Sequence, residues 1–132
     1  MKHILLIVDP QNDFITGTLA VKGAKEKMMK LADYIKDEGC KYDYICTTLD
    51  THPKNHTSFK ENGGIWPKHC VVGTDGWNIP EYLEDAMQFV SAGKKIHFEC
   101  YYKGTEADQE EYSIFDSEDG DILSEQITDL IK

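Results

Sequence analysis

Ile4-Leu5-Leu6-Ile7-Val8-Asp9-Pro10 is an unbroken apolar run that stops on an acid. A continuously apolar run is how a strand reads when both faces of a parallel sheet are covered. Two later runs have the same shape. Residues 42–48 are followed by Leu49-Asp50-Thr51-His52, and residues 96–102 by Lys103. In a parallel α/β sheet the carboxyl ends of the strands share one edge, and ligands bind in the crevice there. Asp9, the Asp50/His52 pair and Lys103 are therefore expected to meet at one site, although they are far apart in sequence.

The segments between the runs support this order. Ala24, Met28, Leu31 and Ile35 recur at helical spacing over residues 22–38, with Gly39 as the stop. Strand, helix and strand make a βαβ unit with a right-handed crossover. A second helix is expected over residues 81–92, with Leu83, Met87 and Val90 inward and Gly93 as its stop. A last helix starts near Asp119 or Asp121, with Leu123, Ile127, Leu130 and Ile131 as its apolar face. Between Leu49 and Pro80 lies a loop with little periodicity that holds His52, His56 and His69. A loop this long inside a compact domain is usually functional.

Composition narrows the partners. A chain of 132 residues reads as one domain, residues 1–132. Its net charge of -10 argues against nucleic acid, whose affinity is built on Lys and Arg neutralising phosphates, and against an anionic membrane surface. No run approaches the roughly 18 apolar residues of a membrane span, and the N-terminal run turns acidic too soon for a signal peptide. The four cysteines, Cys40, Cys46, Cys70 and Cys100, have no CxxC spacing. They read as free thiols in a reducing cytoplasm and as small buried hydrophobes, not nucleophiles, because none sits at a helix N-terminus.

Asp50 and His52 are two residues apart in an extended segment, so their side chains point the same way. They make half of a metal site, which His69 or His56 would complete; spacing alone is equally compatible with histidines on a solvated loop. Three O/N ligands with positions left for water describe a catalytic site, and zinc, iron and manganese all accept such a set. Asp9 and Lys103 form an ion pair at the strand ends or, given a thiol, a base and a charge-stabilising cation. Phe14, Trp66 and Tyr112 lie in loops near the crevice, where aromatics more often pack than wall a substrate; a flat aromatic ligand would favour the second role.

Four blocks of the chain resemble the nicotinamidase/pyrazinamidase branch of the isochorismatase-like cysteine hydrolases. They are Ile7-Val8-Asp9-Pro10-Gln11-Asn12-Asp13-Phe14 with Gly17-Thr18-Leu19-Ala20-Val21; Thr48-Leu49-Asp50-Thr51-His52-Pro53 with His56 and Ser58-Phe59; Trp66-Pro67-Lys68-His69-Cys70-Val71 with Gly73-Thr74; and Lys103-Gly104 with Tyr112-Ser113-Ile114-Phe115. The resemblance implies a three-layer, Rossmann-like parallel sheet. It implies Asp9 as the base and Lys103 as the cation of a catalytic triad. It implies Asp50, His52 and His69, rather than His56, as ligands of one divalent metal, zinc first and iron or manganese also compatible. Phe14 and Trp66 would sandwich a planar ring, and the reaction would be hydrolysis of nicotinamide to nicotinate and ammonia through a cysteine thioester. The metal block separates this branch from isochorismatases that act on other substrates.

One departure is large. The family's nucleophilic cysteine follows a fourth strand, and this chain ends at Asp129-Leu130-Ile131-Lys132, where that strand should begin. The expectation is therefore an incomplete sheet lacking its C-terminal strands, with strand 1 as an open edge. Such a chain is expected to be inactive alone, to self-associate as a homo-oligomer or to pair with a missing C-terminal segment. The alternative is a non-catalytic remnant or subunit that binds metal and ligand without turnover.

Overall fold

The computed structural model describes residues 1–131, Ile131 by its backbone alone. Strands β1 (Ile4–Val8), β2 (Tyr44–Asp50) and β3 (His97–Lys103) form a parallel sheet in the order β1-β2-β3. A four-residue helix, α1 (Asn12–Ile15), follows β1. Helix α2 (Ala24–Glu38) connects β1 to β2, and α3 (Glu81–Ser91) connects β2 to β3. Both pack on one face of the sheet, as right-handed crossovers advancing in one direction require. Ile7, Ala32, Ile35, Ile45, Leu83, Ala86, Val90 and Ile96 form the core there. Helix α4 (Glu118–Ile131) lies on the other face, where Cys46, Tyr101, Ile114 and Leu123 make a smaller core. The result is the expected three-layer α/β arrangement.

The register puts the site at one edge. Val8 pairs with Thr48, and Asp50 pairs with Lys103. Asp50 and Lys103 are thus the last residues of their strands, not residues just past them. The strands begin later than expected because Tyr42 leaves the short turn Gly39–Lys41 and Asp43 is held by the His3 amide.

Gly39 closes α2 as expected, in right-handed geometry (φ -58), and a Cβ there would come within 3.0 Å of Val90 Cγ1, which explains the glycine by packing. Three other expectations need correction. Phe14 sits in α1 rather than in a loop. Cys40 and Cys100 are exposed, and only Cys46 and Cys70 are buried. Cys100 is open to solvent because β3 is an edge strand. Finally, β1 is covered on one face only: Ile7 is buried, whereas Leu6 and Val8 are 36% and 65% exposed. Its position at the sheet edge agrees with the expected open strand. Leu123 and Ile127 do face the core from α4, while the Ile131 side chain lies outside the described residues.

Candidate functional site

Each strand end delivers one charged side chain to the same place. The Lys103 ammonium is 4% exposed and lies 3.1 Å from Asp9 Oδ2 and 3.2 Å from Asp50 Oδ1. Burial pulls its pKa down, but the carboxylates of Asp50 and Asp9 outweigh burial, and the net shift is upward. Lys103 therefore stays charged and joins the two acids. Asp9 is held by Thr48: its N–H donates to the Thr48 carbonyl at 3.0 Å, and its Oδ1 accepts the Thr48 hydroxyl at 2.8 Å. Its backbone is left-handed (φ 48), a conformation rare outside glycine that tends to mark functional sites.

Asp50, His52 and His69 are all buried, and one ligating atom from each falls within 4.8 Å of the others. The ring of His52 donates Nδ1–H to the Gly104 carbonyl at 2.8 Å. That of His69 donates Nδ1–H to the Pro67 carbonyl at 2.8 Å. Both rings thereby turn Nε2 toward Asp50 Oδ2, at 3.0 and 3.3 Å. Backbone carbonyls on the remote nitrogens are the usual outer support of metal-binding histidines. Despite the short distance, His52 Nε2 makes no well-aligned hydrogen bond, and neither does Asp50 Oδ1. A buried ring nitrogen without a hydrogen-bond partner is rare, and His52 Nε2 beside the Asp50 carboxylate fits a divalent metal ion. Burial raises the Asp50 pKa, but the adjacent His52 and His69 rings and the charge of Lys103 carry it well below the usual carboxylate range. For His69, burial pulls down, and the Asp50 carboxylate and the Pro67 carbonyl push it above its ordinary value.

His56 has no free nitrogen. Its Nε2–H donates to the Gln109 carbonyl at 2.8 Å, and Nδ1 pairs with the Ser58 hydroxyl at 2.7 Å. Burial, then the neighbouring His52, lower its pKa. It lies against His52, ring centroids 3.8 Å apart, and braces that ring.

The segment after β2 pairs with the segment that carries His69. His52 N–H donates to Cys70 O and Val72 N–H to His52 O, both at 3.0 Å. Cys70 is left-handed (φ 48), and its N–H donates to Asp13 Oδ2 at 2.8 Å. A Cβ on Gly76 would lie 2.0 Å from that same Oδ2, so the glycine admits the carboxylate. Asp13 thus bolts the corner that aims His69. On the other side, fully buried Gln11 extends the β1 ladder with its side chain. Its Oε1 accepts Asp50 N–H at 2.8 Å, and its Nε2 donates to Asp50 O at 2.7 Å and to Trp77 O at 3.0 Å. Sequence reasoning assigned no role to Gln11, Asp13 or Thr48. The available signal was polar side chains of types that can bond backbone groups, placed directly at the strand ends.

A cavity of about 280 Å³ opens over these groups. Asp9, Asp50, His69 and Lys103 form its floor, Phe14, Leu19, Trp66 and Tyr112 its apolar walls, and Glu110 and Glu111 an acidic side. Trp66 Nε1 donates to the Tyr112 hydroxyl at 3.4 Å. All the residues singled out in the sequence as base, cation, metal ligands and ring contacts line this cavity, except His52, which lies behind His69 and Asp50. Among the described residues no cysteine lines it. Burial, then Glu99, pushes the Cys46 thiol up to about 11, and burial and nearby carboxylates push Cys70 higher still.

No family model matches the chain. It is 31% identical to a nicotinamidase of Saccharomyces cerevisiae over 137 aligned residues, covering 84% of this chain and 61% of that protein. It is 35% identical to a nicotinamidase/pyrazinamidase of Mycobacterium tuberculosis over 104, covering 76% and 53%. A pyrazinamidase of Pyrococcus horikoshii, solved in complex with zinc, superposes with a TM-score of 0.71 at 34% identity, covering 96% of this chain and 65% of that one. The chain thus spans about half to three-fifths of the length of these curated relatives.

Proposed function

Because the chain belongs to the nicotinamidase/pyrazinamidase branch of the isochorismatase-like family, we propose that its cavity is the metal-bearing part of an amidohydrolase site for a small planar heteroaromatic amide, nicotinamide first. The observation that carries this reading is the convergence of Asp50, His52 and His69 beneath a cavity walled by Phe14 and Trp66. Asp50, His52 and His69 would hold one divalent ion, with zinc favoured by the zinc complex of the similar Pyrococcus horikoshii pyrazinamidase. When bound, the ion supplies a Lewis acid that holds the ring nitrogen of the amide. Phe14 and Trp66 clamp the faces of the ring, with Tyr112 beside them. Asp9 would take the proton of an attacking thiol and return it to the departing ammonia, while Lys103 holds Asp9 in place through their ion pair. Glu110 and Glu111 make the entrance unfavourable to anions and suit an uncharged amide.

The 132 residues alone are proposed to bind without turnover, because the thiols at Cys46 and Cys70 are held protonated and no cysteine among the described residues lines the cavity. This keeps the second reading, a non-catalytic metal- and ligand-binding subunit, in play; hydrolysis of another substrate by a metal-free isochorismatase-like site is disfavoured by the metal cluster. We also propose that the open β1 edge takes up a further strand, from a second copy of the chain or a separate segment. No described helix is long and apolar enough to cross a membrane, and the four cysteines are unpaired, which supports a cytoplasmic placement.

Titration of the cobalt-loaded chain with nicotinamide tests the site. A saturable change in the cobalt d–d spectrum is expected with nicotinamide but not with benzamide, which lacks the ring nitrogen. An unchanged spectrum, or equal changes with both, would reject the reading.

A further inference from the structure

The acidic side of the cavity is tied to the metal cluster through one residue, Gly104. Glu111 is half-buried, and its Oε2 accepts the Gly104 N–H at 2.6 Å. The Gly104 carbonyl accepts the Nδ1–H of His52 at 2.8 Å. Gly104 is left-handed (φ +66), and a Cβ there would lie 2.4 Å from His52 Cε1. That residue is thus packed against the ring with no slack. The loop carrying Glu111 is fastened to the histidine-bearing segment twice more, by Thr57 N–H to Ala107 O at 2.7 Å and by His56 Nε2–H to Gln109 O at 2.8 Å.

We propose that Glu111 is a positioning residue for the metal centre: its carboxylate fixes the backbone of Gly104, whose carbonyl sets the tautomer and orientation of His52. The inference rests on Asp50, His52 and His69 being the metal ligands. Hydrogen bonds to charged groups are short and strong, so the carboxylate anchors the Gly104 N–H and, through its Cα, the next peptide group, whose carbonyl faces His52. A carbonyl held in place at Nδ1–H keeps the Nε2 lone pair turned to the cluster. Glu111 also lines the cavity beside Tyr112, so the substrate wall and the metal site form one mechanical unit. Whatever steadies one steadies the other, by thermodynamic reciprocity.

The test is zinc affinity by competition with a chromophoric chelator, together with the cobalt d–d spectrum, on the full chain. Glu111→Ala is expected to weaken zinc about 10- to 100-fold, the range typical of lost outer support for a metal ligand, and to shift the cobalt bands. Glu111→Gln keeps an acceptor oxygen and should restore most of the affinity and the native spectrum. Glu106→Ala removes a charge from the same loop, away from Gly104, and should match the wild type. Circular dichroism checks that each variant is folded. If Glu111→Ala binds zinc like the wild type, the proposal fails and the metal reading stands. Equal weakening in Glu111→Gln and Glu111→Ala would also overturn it, since charge alone would then explain the loss. No zinc binding by the wild type would sink the metal reading itself, and the proposal with it.

Discussion

Gln11→Leu is the sharpest perturbation of the scaffold under the site. The two side chains are close in volume, so the substitution opens little cavity. It deletes both the acceptor for Asp50 N–H and the donor for the carbonyls of Asp50 and Trp77. Those backbone groups then have no side-chain partner at a fully buried position. Each buried group left unsatisfied costs about 1–3 kcal/mol, and neighbours in one network are not additive, so a total of about 3–5 kcal/mol is expected. That is a large fraction of the 5–15 kcal/mol or so that holds a small domain together. With a urea slope of about 2 kcal/mol per molar, the unfolding midpoint should fall by about 1.5–2.5 M at unchanged slope. The same change frees the β2 end that carries Asp50, so metal affinity should drop in the same variant. A midpoint shift below about 0.5 M, with metal affinity intact, would show that Gln11 fills space and does not extend the ladder.

Asp13→Ala removes the acceptor of the Cys70 N–H and should weaken zinc about 10- to 100-fold without altering stoichiometry; an unchanged dissociation constant would mean that the left-handed corner holds itself. In the metal-free protein, the stabilising contribution of His69 is fully present below its ordinary pKa of about 6.5 and is lost as pH rises through its raised folded value. Metal competes with that proton, so zinc affinity should run the other way, rising with pH through the same range; a flat profile would exclude His69 as a ligand. Ammonia release from nicotinamide by the isolated chain should stay at background, and turnover that Cys70→Ala or Cys100→Ala abolishes would reassign the nucleophile. Sedimentation should show self-association at micromolar concentration, with fast hydrogen exchange along the outer edge of β1; a compact monomer with slow exchange at Leu5 to Val8 would remove the open-edge argument.

Much of the fold was legible because the apolar runs are short and each ends on a charge. The strand-end rule alone brought Asp9, Asp50 and Lys103 together, and the register agrees with it. Spacing left His69 and His56 equivalent, and the family resemblance chose between them. The structure gives a physical ground for that choice, since both nitrogens of His56 are engaged. What stayed hidden were contacts across the sheet edge that no local pattern encodes. Gln11 meets Asp50, and Asp13 meets Cys70, across 39 and 57 residues of chain. Glu111 looked like one more acid in an acidic loop, and only the packing of Gly104 against His52 distinguishes it. The exposure of Cys100 was missed for a related reason: composition shows a cysteine in a strand, not that the strand lies at an edge.

Elemental analysis after equilibrium dialysis against zinc addresses the metal centre most directly. The wild-type chain and folded Asp50→Ala, His52→Ala, His69→Ala and His56→Ala variants would be compared at matched concentration. The account predicts one zinc per wild-type chain, strong loss in the Asp50, His52 and His69 variants, and retention in His56→Ala at reduced affinity, because His56 braces the His52 ring without offering a nitrogen. No zinc on the wild type, or zinc kept by His69→Ala and lost from His56→Ala, would contradict it.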